Sequence, residues 1–212
     1  MTKKKAGRNL RNFASQAPIR KIQTTAEEAS KKPLKSDEPK QPALTKKIGL
    51  LMFFFAFMIY AQSLKYNFTL DDKIVIFENS ITTQGIKAIP TIFANPYLYG
   101  SVLPDNRIYR PISKAVFAFC WSVSPGNPMV FHLANVLFFA LTGLMLFLTL
   151  KRYFPGNLVV PLISTLMFIV HPIHTEVVDN IKSLDEILCF MFFIISLYFL
   201  YSYLNKKKQC SC

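Results

Sequence analysis

Residues 48–64, IGLLMFFFAFMIYAQSL, decide the fold class, because they contain no charged residue and lie between Lys46–Lys47 and Lys65. A helix needs roughly 20 apolar residues to cross a hydrocarbon core of about 30 Å. Three more apolar runs follow, at residues 129–150, 157–171 and 187–204. Runs of this length predict an all-α membrane protein with about four transmembrane helices.

The segment between the first two runs, residues 65–128, is too long and too structured to be a simple connector. It contains six prolines, several charges and short amphipathic pieces at 73–77, 86–93 and 112–121. Amphipathic pieces next to a span are typical of helices that lie in the membrane interface. We therefore expect a large outer-face loop that contains short interfacial helices.

The net charge of +13 is concentrated in the N-terminal tail, residues 1–47, which holds 13 Lys and Arg against four Asp and Glu. This tail has too little apolar surface to fold, and we predict that it is disordered. No apolar run precedes Lys47, so it does not resemble a cleaved signal peptide. Basic residues beside a span favour contact with anionic lipid headgroups, not with nucleic acid.

The basic residues also predict the orientation in the membrane. If the spans alternate, 18 of the 25 Lys and Arg lie on the side that holds the tail, the 151–152 turn and the basic end at 205–212. The positive-inside rule places this side, with both termini, in the cytoplasm. The large loop and residues 171–186 then share the outer side. The Lys, Ile and Asn usage favours a bacterial inner membrane over the endoplasmic reticulum.

Asp71 and Asp72 form an acidic pair shortly after the first span. Such a pair can accept the proton of a hydroxyl group as a general base, or hold a divalent metal through its oxygens. Aspartate is equally favoured as a helix N-terminal cap. The pair alone leaves all three interpretations open.

Residues 171–176 read HPIHTE, so His171 and His174 are three positions apart and Glu176 follows. This spacing puts two histidines on one helical face, although Pro172 predicts that the helix restarts there. A zinc site needs a third ligand and ordered partners around it. We therefore assign no metal site and favour hydrogen bonding to a phosphate or a sugar.

Arg110 lies in the sequence Tyr-Arg-Pro within the large loop. Its guanidinium group offers a planar fork that matches phosphate oxygens. An interfacial arginine can also anchor the chain to lipid headgroups, and the residue type does not separate these roles.

Four motifs occur in a recognisable order: FTLDD at 68–72, YRPI at 109–112, FHLAN at 131–135 and HPIHTE at 171–176. In this respect residues 48–204 resemble the N-terminal membrane part of the transmembrane and tetratricopeptide repeat-containing O-mannosyltransferases. Those enzymes belong to the GT-C class of membrane glycosyltransferases. The resemblance implies a partial GT-C-like fold and transfer of a sugar from a polyprenyl-phosphate carrier to a protein acceptor on the outer or lumenal face.

The resemblance also implies roles for individual residues. Asp71 or Asp72, with Asp71 favoured, would be the catalytic base, and Arg110 would hold the carrier phosphate. The residues His171, His174 and Glu176 would line the same cavity. Leu184 stands where the family pattern leads us to expect arginine, and Lys182 would supply the charge without the planar fork.

Members of that family have more spans, followed by helical repeats, and no 34-residue repeat occurs in this sequence. We therefore expect a truncated form or the N-terminal part of a larger enzyme. Two other classes remain open: a non-catalytic membrane anchor or scaffold subunit, and a small transporter component. A transporter should carry charges near the middle of its spans, and these spans have almost none.

Overall fold

The computed structural model describes residues 41–103 and 107–210. The prediction that the tail is disordered concerns mainly residues 1–40, which lie outside the described residues. The described part consists of helices and turns, which confirms the all-α prediction. Its α-helices are α1 (Gln41–Tyr60), α2 (Leu70–Asp72), α3 (Ile89–Ala94), α4 (Pro111–Val123), α5 (Pro128–Tyr153), α6 (Val159–Val170), α7 (Ile173–Asp179) and α8 (Leu184–Cys210).

Within the described ranges, three helical segments are long and apolar enough to cross a membrane: Ala43–Lys65, Pro128–Tyr153 and Ile181–Lys207. Helices α6 and α7 form a fourth candidate span that is bent by 64° between Val170 and Ile173. The prediction of about four transmembrane helices is thus confirmed, with one of them broken.

The helices are longer than the apolar runs that predicted them. Helix α1 begins at Gln41 rather than at residue 48, and α8 continues past residue 204 to Cys210. The added residues include Lys46–Lys47 and Lys206–Lys207. A lysine stem can cover apolar surface while its ammonium group reaches water, so a helix need not end where its apolar run ends.

Helix α5 lies at the centre, and α1 packs antiparallel to it. A Cβ atom on Gly49 of α1 would come within 2.8 Å of the Leu144 side chain, so the glycine permits the close approach. At the other end of α1, the ring of Tyr60 lies 4.9 Å from that of Phe139. The Tyr60 hydroxyl donates a hydrogen bond to the Ile169 carbonyl at 3.2 Å, which attaches α6 to the same pair.

Helix α8 packs along α5 with both helices beginning at the same end. Leu184 and Phe131, near the two starts, belong to one buried apolar cluster. Near the two ends, the rings of Tyr153 and Tyr201 lie 4.7 Å apart. The segments 61–127 and 171–183 therefore meet at one end of the bundle, which we call the loop end.

The bend between α6 and α7 occurs at His171–Pro172. A residue before proline is driven out of the helical region, and His171 has an extended backbone (φ −66°, ψ 124°). Asn135, buried in α5, donates from its side-chain amide to the Asn180 carbonyl at 2.9 Å, just beyond the end of α7. The bend thus turns α7 across α5, towards the beginning of α8.

The large loop is built from short helical pieces. The predicted pieces at 73–77 and 112–121 correspond to a π-helical turn at Lys73–Phe77 and to α4, and the piece at 86–93 falls in a 3₁₀ turn at Thr82–Ala88 and in α3. The described part of the large loop, residues 65–103 and 107–128, therefore contains short helices at the loop end, as the sequence predicted.

Lys114 of α4 is buried inside this layer and is only 1% exposed. Its ammonium group donates to the carbonyl oxygens of Tyr97 and Tyr99 at 2.7 and 2.8 Å. Burial lowers the pKa of Lys114 to about 8, because a charged amine loses its hydration. Lys114 is therefore an internal link between α4 and the 97–99 turn, and not one of the outer-side surface charges.

Replacing Lys114 should change how stability depends on pH. Between pH 8 and 10.5 the folded lysine loses its proton while the unfolded lysine keeps it, so raising the pH favours the folded state. We expect the stability of the wild-type chain to rise across this window relative to that of Lys114→Met, as measured by thermal unfolding in detergent. The control Lys87→Met, at an exposed lysine, should show the same change of stability with pH as the wild type. If Lys114→Met also showed the wild-type pH dependence, the lowered pKa of Lys114 would be contradicted.

Candidate functional site

The two acidic residues of the loop end have different environments. Asp72 is fully buried, and its Oδ2 accepts hydrogen bonds from the backbone N–H and the hydroxyl of Thr69 at 2.9 and 2.8 Å. Its Oδ1 accepts from the backbone N–H of Lys182 at 2.9 Å. Both oxygens are therefore engaged, and Asp72 joins the first loop to the segment before α8.

Asp71 points the other way, and 56% of its side chain is exposed. Its Oδ2 accepts a hydrogen bond from the Lys182 ammonium at 2.7 Å. Successive residues on a helical turn point about 100° apart, which accounts for the different environments of two neighbouring aspartates. Asp71 is thus the member of the pair that an incoming molecule can reach.

Arg110 immediately precedes α4, whose first residue is Pro111. Its guanidinium group forms an ion pair with Asp185 in the first turn of α8 and lies 5.9 Å from the ring centre of Tyr97. Arg110 and Asp185 border a cavity of about 230 Å³ whose other walls include Leu188, Cys189 and Phe192. Because 43% of the Arg110 side chain is exposed, this cation can contact a ligand in the cavity.

Tyr97 lies beside the Arg110–Asp185 ion pair. Burial raises the pKa of its phenol, the Asp185 and Asp72 carboxylates raise it further, and the Arg110 cation opposes them. Asp185 follows Lys182 by three residues, so this short stretch of chain joins the Arg110–Asp185 pair to the Asp71–Lys182 pair. We call these four residues the charged cluster.

The HPIHTE residues lie apart from this cluster. The ring of His174 is 4.4 Å from that of Phe168 and 5.4 Å from that of Phe139. It borders a second cavity, of about 300 Å³. Glu186 and Phe190, on the first turns of α8, also line this cavity.

The sequence led us to expect His171, His174 and Glu176 in the same cavity as Arg110, but none of them lines that cavity. His171 and Glu176 are exposed and contribute to neither of the two cavities. No group of three or more His, Cys, Asp or Glu side chains is placed to hold a metal ion within residues 41–103 and 107–210.

Three residues of the loop end were not among the site residues predicted from the sequence: Tyr97, Lys114 and Asp185. Asp185 could have been found, because it lies three positions after Lys182 and such residues share a helical face. Tyr97 and Lys114 carry no sequence signal, because their roles depend on how the large loop folds back on itself. Leu184, where arginine was expected, is fully buried in the apolar cluster with Phe131.

Comparison with known proteins relates the chain to protein O-mannosyl-transferases. It is 30% identical to TMTC1 of Mus musculus over 142 residues, which are 66% of this chain and 15% of that protein. It is 32% identical to TMTC3 of Homo sapiens over 138 residues, 64% of this chain and 15% of that protein. With human TMTC2 it shares 31% identity over 145 residues, 66% of this chain and 17% of that protein.

No family model and no solved structure matches the chain. The chain spans about a sixth of the length of these curated relatives. All three come from mammals, so they do not support the preference for a bacterial inner membrane. Over about two thirds of its length, the chain is similar to the TMTC protein O-mannosyl-transferases.

Proposed function

We propose that the loop end of this chain is the donor-phosphate and general-base part of a protein O-mannosyltransferase that uses a polyprenyl-phosphate sugar. The observation that carries this proposal is the charged cluster, in which an accessible carboxylate and an accessible guanidinium group are paired with Lys182 and Asp185, two residues only three positions apart. The names of the matched relatives supply the reaction class.

Arg110 is the residue best placed to bind the donor phosphate. It combines a bidentate fork with partial exposure, and it borders a cavity that can receive a ligand. The Lys182 ammonium adds a second positive charge to the cluster. Together the two cations can balance the charge of a phosphodiester that approaches the cluster.

An apolar cavity of about 720 Å³ between α4 and α5 supports a lipid carrier as the donor. Its walls are apolar side chains such as Val116, Phe119 and Leu137, and Ile112 borders both this cavity and the one at Arg110. A ligand with an anionic head and a long apolar tail matches this arrangement. In the proposed complex the polyprenyl chain lies along α4 while its phosphate pairs with Arg110.

The reaction that we propose forms one bond and breaks one. The hydroxyl oxygen of the acceptor attacks the anomeric carbon of the sugar, and the bond from this carbon to the phosphate oxygen breaks. The electron pair of the broken bond stays on the phosphate, where Arg110 stabilises it. The hydroxyl proton passes to the Asp71 carboxylate.

Asp72 has a positioning role in this proposal, because both of its oxygens already accept hydrogen bonds. The residues His171, His174 and Glu176 have no assigned role in this reaction, because they do not line the Arg110 cavity. A divalent metal has no assigned step.

Asp71→Asn should lower kcat for sugar transfer by about 10²–10⁴, the usual contribution of a general base. The fold should be retained, because an exposed ion pair contributes only about 0–1 kcal/mol. Transfer is measured with the full chain in nanodiscs, radiolabelled polyprenyl-phosphate mannose and an acceptor peptide.

Two controls separate catalysis from folding in this experiment. Asp72→Asn should lower the unfolding temperature, because it weakens hydrogen bonds to a buried carboxylate. Glu78→Gln, at an exposed acid outside the cluster, should leave both quantities unchanged. Transfer by Asp71→Asn at the wild-type rate would reject Asp71 as the base.

Arg110→Gln should raise KM for the donor by roughly ten- to a hundredfold, the equivalent of one charged hydrogen-bonding contact. Arg110→Lys should recover part of this loss, because it restores the charge but not the fork. Arg152→Gln, in the last turn of α5 and far from the loop end, is the matched control. An unchanged KM for Arg110→Gln would show that the phosphate binds elsewhere.

A further inference from the structure

Lys182 holds both members of the acidic pair at once. Its backbone N–H donates to Asp72 Oδ1 at 2.9 Å, and its ammonium group donates to Asp71 Oδ2 at 2.7 Å. The first bond involves a fully buried carboxylate, whereas the second lies at the surface. The backbone of Lys182 is therefore fixed, while its side chain is held by a single exposed contact.

The ammonium group also obstructs the proposed chemistry. A carboxylate that already accepts a short bond from a cation is a poor partner for a neutral hydroxyl group. Arg110 is occupied in the same way, by Asp185. Each cation that a donor phosphate would need is therefore bound to a carboxylate.

The geometry allows the Lys182 ammonium to change partners. Lys182 lies in the 3₁₀ turn Ile181–Ser183 that leads into α8, and Asp185 follows it by three residues, so the two side chains point to the same side of the chain. Asp185 contacts Arg110 and borders the Arg110 cavity, so this cavity begins about one turn beyond Lys182. A lysine has a flexible four-carbon stem, and an exposed ion pair contributes little, so the exchange costs little.

We propose that the Lys182 ammonium is exchanged between Asp71 and the donor phosphate, so that arrival of the donor frees the Asp71 carboxylate. This inference rests on the proposed function and adds a sequence of binding events to that function. The phosphodiester binds at Arg110 and attracts Lys182. Asp71 then becomes available to the acceptor hydroxyl, and the base is exposed only when a sugar is present to be transferred.

Lys182 is thus a positioning residue, and carboxyl labelling tests its exchange without relying on turnover. The full chain in nanodiscs is treated with a carbodiimide and a neutral amine, with and without polyprenyl-phosphate mannose and in the absence of acceptor. Mass spectrometry measures the modification of Asp71. Because an exposed ion pair protects weakly, we expect the donor to raise this modification by about two- to fivefold.

Three variants identify the cation responsible. Lys182→Met should give high Asp71 modification that no longer depends on donor, while its backbone N–H still binds Asp72. Lys182→Arg should restore the donor dependence. Lys73→Met, at an exposed lysine next to the acidic pair, should behave as wild type.

Cys189 reports donor binding independently, because it borders the Arg110 cavity. Protection of Cys189 from maleimide with no change at Asp71 would overturn the exchange. No protection of Cys189 at any donor concentration would overturn the exchange and the phosphate site together. Protection of Cys189 with increased Asp71 modification, in a chain that transfers no sugar, would support the exchange and reject the proposed activity.

Discussion

The buried carboxylate of Asp72 accepts hydrogen bonds from Thr69 on one side and from the backbone of Lys182 on the other. A buried carboxylate is tolerated only when its oxygens are satisfied, so these bonds fix where the first loop meets the segment before α8. The junction positions two acidic members of the charged cluster. Asp71 is the neighbour of Asp72, and Asp185, which holds Arg110, follows Lys182 by three residues.

A second consequence of the junction is that the acidic pair divides its roles. Both oxygens of the buried member accept hydrogen bonds that hold the structure together. The exposed member is accessible from outside and accepts a hydrogen bond from the Lys182 side chain. Two identical side chains at adjacent positions thus differ in chemistry because of the direction in which the helical turn points them.

Much of this fold could be predicted from the sequence, because lipid imposes simple rules. Apolar length predicted the spans, and the large loop was predicted to contain short helices. Helix ends were less predictable, because lysines let α1 and α8 continue beyond their apolar runs. The sequence also predicted Asp71 and Arg110 as candidate site residues. It did not predict Tyr97 beside Arg110 or the buried Lys114, whose positions depend on contacts inside the loop.

The HPIHTE motif shows why shared sidedness did not predict shared location. Pro172 breaks the third span, and α7 turns across α5, so that His174 packs against Phe168. The cavity at His174 borders Glu186 and Phe190, whereas the Arg110 cavity borders Asp185 and Cys189. Neighbouring residues at the start of α8 therefore face two different cavities. The sequence had led us to expect a single cavity.

Leu184 clarifies how the cluster is charged. An arginine was expected at this position, yet the side chain here is apolar and fully buried with Phe131. The positive charge near Asp71 comes instead from Lys182, two residues earlier and partly exposed. Lysine is a compact charge on a flexible stem and cannot form the planar fork. In the proposed site, Arg110 therefore recognises the phosphate geometry, and Lys182 supplies a positive charge on a flexible stem.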